Sequence, residues 1–190
     1  MRSSITKSEL VLITGPPCIG KTYFSGKYNV NNCFKSLNIS VNEQLYDNHS
    51  ELIELTSQVF RHNPKQFLDW ISIVNTPLSV FLNFCMKSPP DWSIFWKLIL
   101  DHPIKKKVII LGVCYTEWVT RIKKRSKDGK QIQQYSTKWL GDFRDNYKDT
   151  YIEWIKELDC YNIPYIFIDN REKDNFPEIS KCEFLAIISK

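Results

Sequence analysis

The sequence predicts an α/β protein: a mostly parallel sheet with helices on both faces, in three layers. Three observations lead there. Short, almost continuously apolar runs recur at Leu10–Thr14, Val108–Val113 and Ile163–Ile168, the pattern of strands buried on both faces. Segments with helical spacing lie between them, so strand and helix alternate along the chain. The first run feeds directly into a glycine-bearing turn, Gly15 to Gly20, at the strand end where such sheets carry their binding loops. At 190 residues the chain is long enough for a substantial core, and a single domain over residues 1–190 is expected.

The first strand, Leu10 to Thr14, is followed by a helix from Lys21 to about Tyr28. Leu37 to Val41 reads as a second strand, and Asn42 to Glu54 leads into a helical region ending near Phe60. Gln66 to Lys87 is apolar and does not divide cleanly between helix and strand; Trp70 to Val74 is its candidate strand. Pro89-Pro90-Asp91 marks a helix start, and the aromatic-rich stretch to Asp101 suits a buried helix. Lys105, Lys106 and Lys107 read as a solvated lead-in to the strand Val108–Val113. Glu117 to Arg125 reads as a helix and Ser126 to Lys138 as a polar loop. A long amphipathic helix is expected over Gly141–Leu158, with Phe143, Tyr147, Tyr151, Trp154 and Leu158 recurring at helical spacing as a core stripe. A last parallel strand, Ile163 to Ile168, ends at Asp169. The tail from Glu172, charged and then apolar at Phe184–Ile188, carries no assignment.

The stretch GPPCIGKT, Gly15 to Thr22, fits the phosphate-binding pattern G-x-x-x-x-G-K-[ST] in the context that pattern needs, after a buried strand and before a helix. Average residue usage gives such a match by chance in roughly one chain in a hundred of this length. Each residue type has a physical reason. Gly15 and Gly20 permit backbone angles that let successive N–H groups point at phosphate oxygens. The helix that follows turns its positive dipole end to the same anion. Lys21 offers a point charge for the outer phosphates, and the Thr22 hydroxyl suits a Mg²⁺ ligand. Pro16, Pro17 and Ile19 stiffen the loop, and Cys18 sits mid-loop as either a redox-sensitive thiol or a small tolerated residue. ATP and Mg²⁺ are the expected cofactors, held by Gly15, Pro16, Pro17, Cys18, Ile19, Gly20, Lys21 and Thr22.

Composition excludes several classes. Hydrophobic residues make up 43% and charged residues 25%, ordinary for a soluble globular protein. There is no apolar run of membrane-spanning length, and the start, MRSSITKSEL, lacks a secretory apolar region, so a cytoplasmic protein with no membrane partner is expected. Six cysteines without a C-x-x-C pair and only three histidines disfavour metal clusters and disulfide frameworks. A net charge of +5 suits anionic substrates or nucleic acid without choosing between them. The chain contains no D-x-x-G, N-K-x-D or L-S-G-G-Q, which sets aside switch GTPases and ABC-type ATPases.

The segment VIILGVCYTEWVTRIKKR, Val108 to Arg125, joins a strand, a short turn with Glu117, and a helix carrying Arg121 and Arg125 four apart. With Gly15–Thr22 it resembles the small P-loop kinases: nucleoside monophosphate kinases, nucleoside kinases and polynucleotide 5′-kinases. The resemblance covers most of the chain in layout and is motif-specific at Gly15–Thr22. It implies a P-loop NTPase fold with a helical lid at about residues 121–140, followed by a long helix and final strand. It also implies transfer of the γ-phosphate of Mg-ATP to a hydroxyl or phosphate of a nucleoside, nucleotide or polynucleotide end. In such transfer the protein mostly positions groups and stabilises spreading negative charge. Lys21, Arg121 and Arg125, with Lys124, are the candidate cations; a solvated basic helix face is the alternative for those beyond Lys21. Arg144 with Tyr147, at the start of the long helix, adds a weaker match.

Glu43, just past the second strand, is the candidate group to orient an acceptor hydroxyl, with Asp47 behind it; the argument is that the second strand lies beside the first and brings Glu43 to the phosphates. An exposed carboxylate is the competing reading. For the acid that related enzymes use to support the metal, Asp101 after Leu98-Ile99-Leu100 and Asp69 are the candidates. Few arginines lie near the aromatic middle to hold an acceptor phosphate, which favours a hydroxyl, while the basic clusters Lys105–Lys107 and Arg121–Lys130 keep a polynucleotide end in play. The competing class is an ATP-binding or ATPase module, regulatory or nucleic-acid-binding, that transfers no phosphate to an acceptor.

Overall fold

A computed structural model describes residues 9–27, 60, 62–73, 79–83, 90–127, 141, 143–172 and 175–190. Along the chain these form β1 (Glu9–Thr14), α1 (Lys21–Lys27), α2 (Pro64–Ile73), β2 (Ser79–Asn83), α3 (Pro90–Asp101), β3 (Lys105–Gly112), α4 (Tyr115–Lys127), α5 (Tyr147–Cys160), β4 (Tyr165–Asp169), β5 (Glu178–Ile179) and α6 (Lys181–Ile188). The strands make one sheet in the order β2-β1-β3-β4-β5, parallel except for β5, which pairs antiparallel with β4 at the edge. The protein is thus mixed α/β on a five-stranded, mostly parallel sheet among the described residues. In the central strands β1 and β3, Leu10 to Ile13 and Val108 to Leu111 are fully or almost fully buried.

Three expectations change. Trp70–Ile73, the described part of the candidate strand Trp70–Val74, is helical: α2 runs through Ile73, with Pro64 in its first turn and Phe67, Leu68 and Ile71 buried on one side. The strand of that apolar segment is β2, which begins at Ser79, beyond the end of α2 at Ile73, and pairs with β1 from Glu9↔Ser79 to Ile13↔Asn83. Lys105–Lys107 are the first residues of β3 rather than a solvated lead-in. There Lys107 pairs with Glu9 at 2.8 Å, both side chains largely covered. Lys106 bonds the His102 carbonyl, and burial lowers its pKa below the usual lysine range. The third concerns the tail, left without an assignment, where α6 forms behind a reciprocal cap: Ser180 accepts from the Glu183 amide, and the Glu183 carboxylate accepts from the Ser180 amide.

The aromatic stripe is core, as its spacing predicts. Phe143, Tyr147, Tyr151, Trp154 and Leu158 are all buried, and Tyr147 stacks on Trp118 of α4 with centroids 4.9 Å apart. Two phenols fasten α5 to the carboxyl end of β3, Tyr151 through the Leu111 carbonyl at 2.8 Å and Tyr147 through the Val113 carbonyl at 3.0 Å. Burial pushes the Tyr147 phenol well above its ordinary pKa, so it remains a donor. Phe184 of α6 closes the same cluster, stacked on Phe167 of β4. A Cβ on Gly112 would lie 2.3 Å from the Phe184 ring, so only glycine fits at the end of β3. No helix among the described residues is long and apolar enough to cross a membrane.

Candidate functional site

Strand order locates the crevice. From β1 the chain goes to β2 on one side, then crosses to β3 on the other, so the order reverses at β1. In open parallel sheets, ligands bind outside the carboxyl strand ends at such a reversal. The segment leaving the carboxyl end of β1 is Gly15–Thr22.

That loop is built on left-handed backbone. Gly15 has φ +151° and Gly20 φ +100°, and Cys18 between them adopts φ 61° despite its side chain. A Cβ on Gly15 would lie 2.9 Å from Ile19 and 3.0 Å from the Leu111 carbonyl, so the glycine is required by space as well as by angle. Ile19 is fully buried and pins the loop to the core, while its amide closes a turn onto the Pro16 carbonyl at 3.3 Å. The Phe24 amide bonds the Gly20 carbonyl at 2.8 Å and opens α1. Lys21 folds back over the loop, its ammonium donating to the carbonyls of Gly15 at 2.8 Å and Pro16 at 3.0 Å. Thr22 is exposed in the first turn of α1.

Three side chains from distant elements grip this loop. Trp118 donates its indole N–H to the Pro17 carbonyl at 2.8 Å, in a buried bond. Arg121, one turn further along α4, uses all three guanidinium nitrogens: Nε on Glu117 at 2.9 Å, Nη1 on the Ile19 carbonyl at 3.0 Å and Nη2 on the Asn170 carbonyl at 2.6 Å. Asn170, just past β4, gives its side-chain amide to the same Ile19 carbonyl, and its backbone N–H bonds Gly112 at 2.9 Å. Next to it, Asp169 is buried and takes a two-pronged contact from Arg171, with Nη2 to Oδ2 at 2.6 Å.

The expected residues are thus distributed unevenly. Lys21, Thr22, Arg121 and Arg125 gather at the loop, with Arg125 placing Nη1 3.9 Å from Cys18 Sγ. Arg121 is anchored to the loop floor, whereas Arg125 is exposed beside it. Lid residues 128–140, Glu43, Asp47 and the strand Leu37–Val41 lie outside the described residues. The reading of Glu43 sets its strand beside β1; among the described residues β1 pairs with β2 on one edge and β3 on the other.

Asp69 and Asp101 are both helical and at the wrong end. Asp101 ends α3, four residues before β3 begins, which puts it at the amino edge of the sheet. Asp69 lies in α2 and contacts His102 at 3.4 Å on that same edge. The Lys105–Lys107 cluster starts β3, so it too is remote from the loop. The residue at the carboxyl end of the strand beside β1 is Asn83, buried and level with Ile13. No group of three or more potential metal ligands of the His, Cys, Asp or Glu type occurs among the described residues.

Comparison with known proteins adds little. No protein-family model matches the chain, and no curated protein does. Among solved structures it is similar to a "putative kinase from chloroflexus aurantiacus j-10-fl", at 17% identity, over 91% of this chain and 92% of that one, with a TM-score of 0.40. A likeness of that degree carries no argument about the chemistry of this chain.

Proposed function

We propose that this chain is a P-loop kinase that moves the γ-phosphate of Mg-ATP to a hydroxyl or phosphate of a nucleoside, nucleotide or polynucleotide 5′-end. One observation carries the reading. The G-x-x-x-x-G-K-T loop leaves the central strand at the strand-order reversal, with both glycines at positive φ and Lys21 folded over it. Those features fit a triphosphate: N–H groups and an ammonium at a carboxyl edge.

In this reading the loop binds the phosphates through the backbone N–H groups of Cys18 and Gly20, since Pro16 and Pro17 have none and Ile19 gives its own to the Pro16 carbonyl, and Lys21 transfers its hydrogen bonds from the loop carbonyls to the outer phosphates. Arg125 stabilises charge on the phosphoryl group in flight. Thr22 would hold Mg²⁺, which would neutralise phosphate charge. The acceptor oxygen forms the new P–O bond as the bond to ADP breaks, and a hydroxyl acceptor loses its proton to a base. Glu43 is the proposed orienting carboxylate, as an acid that follows the apolar run Leu37–Val41 in the sequence.

A second reading is a nucleotide-binding module that transfers nothing to an acceptor. Asn83 favours it, because a neutral amide stands where a metal-supporting carboxylate is expected. An acceptor screen separates the two: Mg-[γ-³²P]ATP with nucleosides, nucleoside monophosphates, oligonucleotide 5′-ends and small sugars. Label appearing on one acceptor class supports the kinase. ATP bound tightly, with no label moved or only phosphate released, supports the module.

A further inference from the structure

We infer that Trp118, Arg121 and Asn170 preorganise the anion cradle, by holding two loop carbonyls outward so that the following N–H groups face the ligand. The inference rests on the reading of Gly15–Thr22 as a phosphate site and assigns three residues to it that the loop motif does not contain. A peptide unit is planar and trans, so its C=O and N–H point in opposite directions. Fixing the Pro17 carbonyl on Trp118 therefore fixes the direction of the Cys18 N–H. Fixing the Ile19 carbonyl on Arg121 and Asn170 does the same for the Gly20 N–H. Both held carbonyls are alternate members of the loop, and both are gripped from outside it by α4 and the end of β4.

The chain has arranged this with some redundancy. Ile19 has two donors on one carbonyl, and Arg121 is itself held by Glu117 and by the Asn170 carbonyl. Cys18 at φ 61° sits between the two held peptides, a conformation that a residue with a Cβ keeps only when its surroundings fix it. Aiming N–H groups before the anion arrives removes ordering entropy from binding. Arg121 is then a positioning residue, in contrast to a lid cation that swings in.

The test uses inorganic tripolyphosphate and Mg-ATP against the full chain and three variants, Asn170→Ala, Arg121→Lys and Asn170→Ala/Arg121→Lys. Losing one bond to the loop is expected to weaken tripolyphosphate binding about 3- to 10-fold, and losing the charged fork about 10- to 100-fold. The double variant is expected to lose more than the product of the single effects, since either residue alone still holds the Ile19 carbonyl. Amide spectra give the readout that a merely structural role would not move. The Cys18 and Gly20 N–H signals should shift strongly when tripolyphosphate binds wild type, and the Gly20 shift should shrink selectively in the variants. Trp118→Phe should shrink the Cys18 shift instead; Arg121→Lys, on a partly exposed side chain, keeps the test valid if that core substitution does not fold. Variants that bind tripolyphosphate like wild type, with unchanged Gly20 shifts, overturn the inference and leave the nucleotide reading standing. A wild type that binds neither tripolyphosphate nor Mg-ATP overturns both.

Discussion

Replacing Gly20 by alanine tests the loop geometry most sharply. At φ +100° a Cβ strains the backbone, at about 1–3 kcal/mol. The new methyl would also lie 2.9 Å from Asn170 Nδ2 and 3.7 Å from Arg121 Nη1. Asn170 is buried and bonded to the Ile19 carbonyl, so moving it aside forfeits a hydrogen bond of about 0.5–1.5 kcal/mol. Together these come to roughly 3 kcal/mol, which for a domain of this size lowers Tm by about 6–12 °C. Thermal melts and tripolyphosphate titrations on one preparation measure both effects, and affinity should fall about tenfold or more with the lost grip. Gly141→Ala is the control, because a Cβ there meets nothing within 4 Å and the position is helical. It should leave Tm unchanged or raise it. A Gly20→Ala protein with the Tm and affinity of wild type would refute the reasoning.

Other outcomes follow from the same structure. Arg125→Ala should lower kcat by about 10²–10³ with little change in the KM for ATP, as for a donor acting in the transition state, and equal kinetics at low salt would return it to a solvated surface role. Glu43→Gln should suppress acceptor phosphorylation by about 10²–10⁴ and leave ATP binding intact if it orients the hydroxyl; full activity removes it from the site. Asp159 accepts from Tyr165 at 2.7 Å and from Lys181 at 3.1 Å, which lowers its pKa below the ordinary carboxylate range. Its contribution is therefore present above pH 4 or so and lost as pH falls through the lowered value. Because the group is exposed the effect is small, and melts of wild type and Asp159→Asn should converge as pH is lowered from about 6 to 3.

The parts of the fold that local pattern determines were legible. Apolar runs buried on both faces mark β1, β3 and β4, and Tyr147, Tyr151, Trp154 and Leu158 at helical spacing mark α5. Gln66–Lys87 was not, because a buried helix and a buried strand share one composition; α2 and β2 divide it only once β1 supplies a pairing edge. The cap of α6 was present in Ser180-Lys181-Cys182-Glu183 and was missed through the weak pattern behind it. At the site, the loop itself is written in the sequence, but its supports are not. Trp118 meets Pro17 across 101 residues and Asn170 meets Ile19 across 151, and no spacing rule links such pairs. Asn83 was hidden for a related reason: a search for an acid at a strand end passes over an amide.

The central claim is that Gly15–Thr22 binds a triphosphate and Lys21 acts on its outer phosphates. Calorimetric titration of Mg-ATP into wild type and Lys21→Ala, beside turnover of the same two proteins with the acceptor found by screening, tests it most directly. Wild type should bind and turn over, and Lys21→Ala should keep its fold by circular dichroism yet lose turnover at least as heavily as affinity. Binding and turnover both unchanged in Lys21→Ala would contradict the assignment.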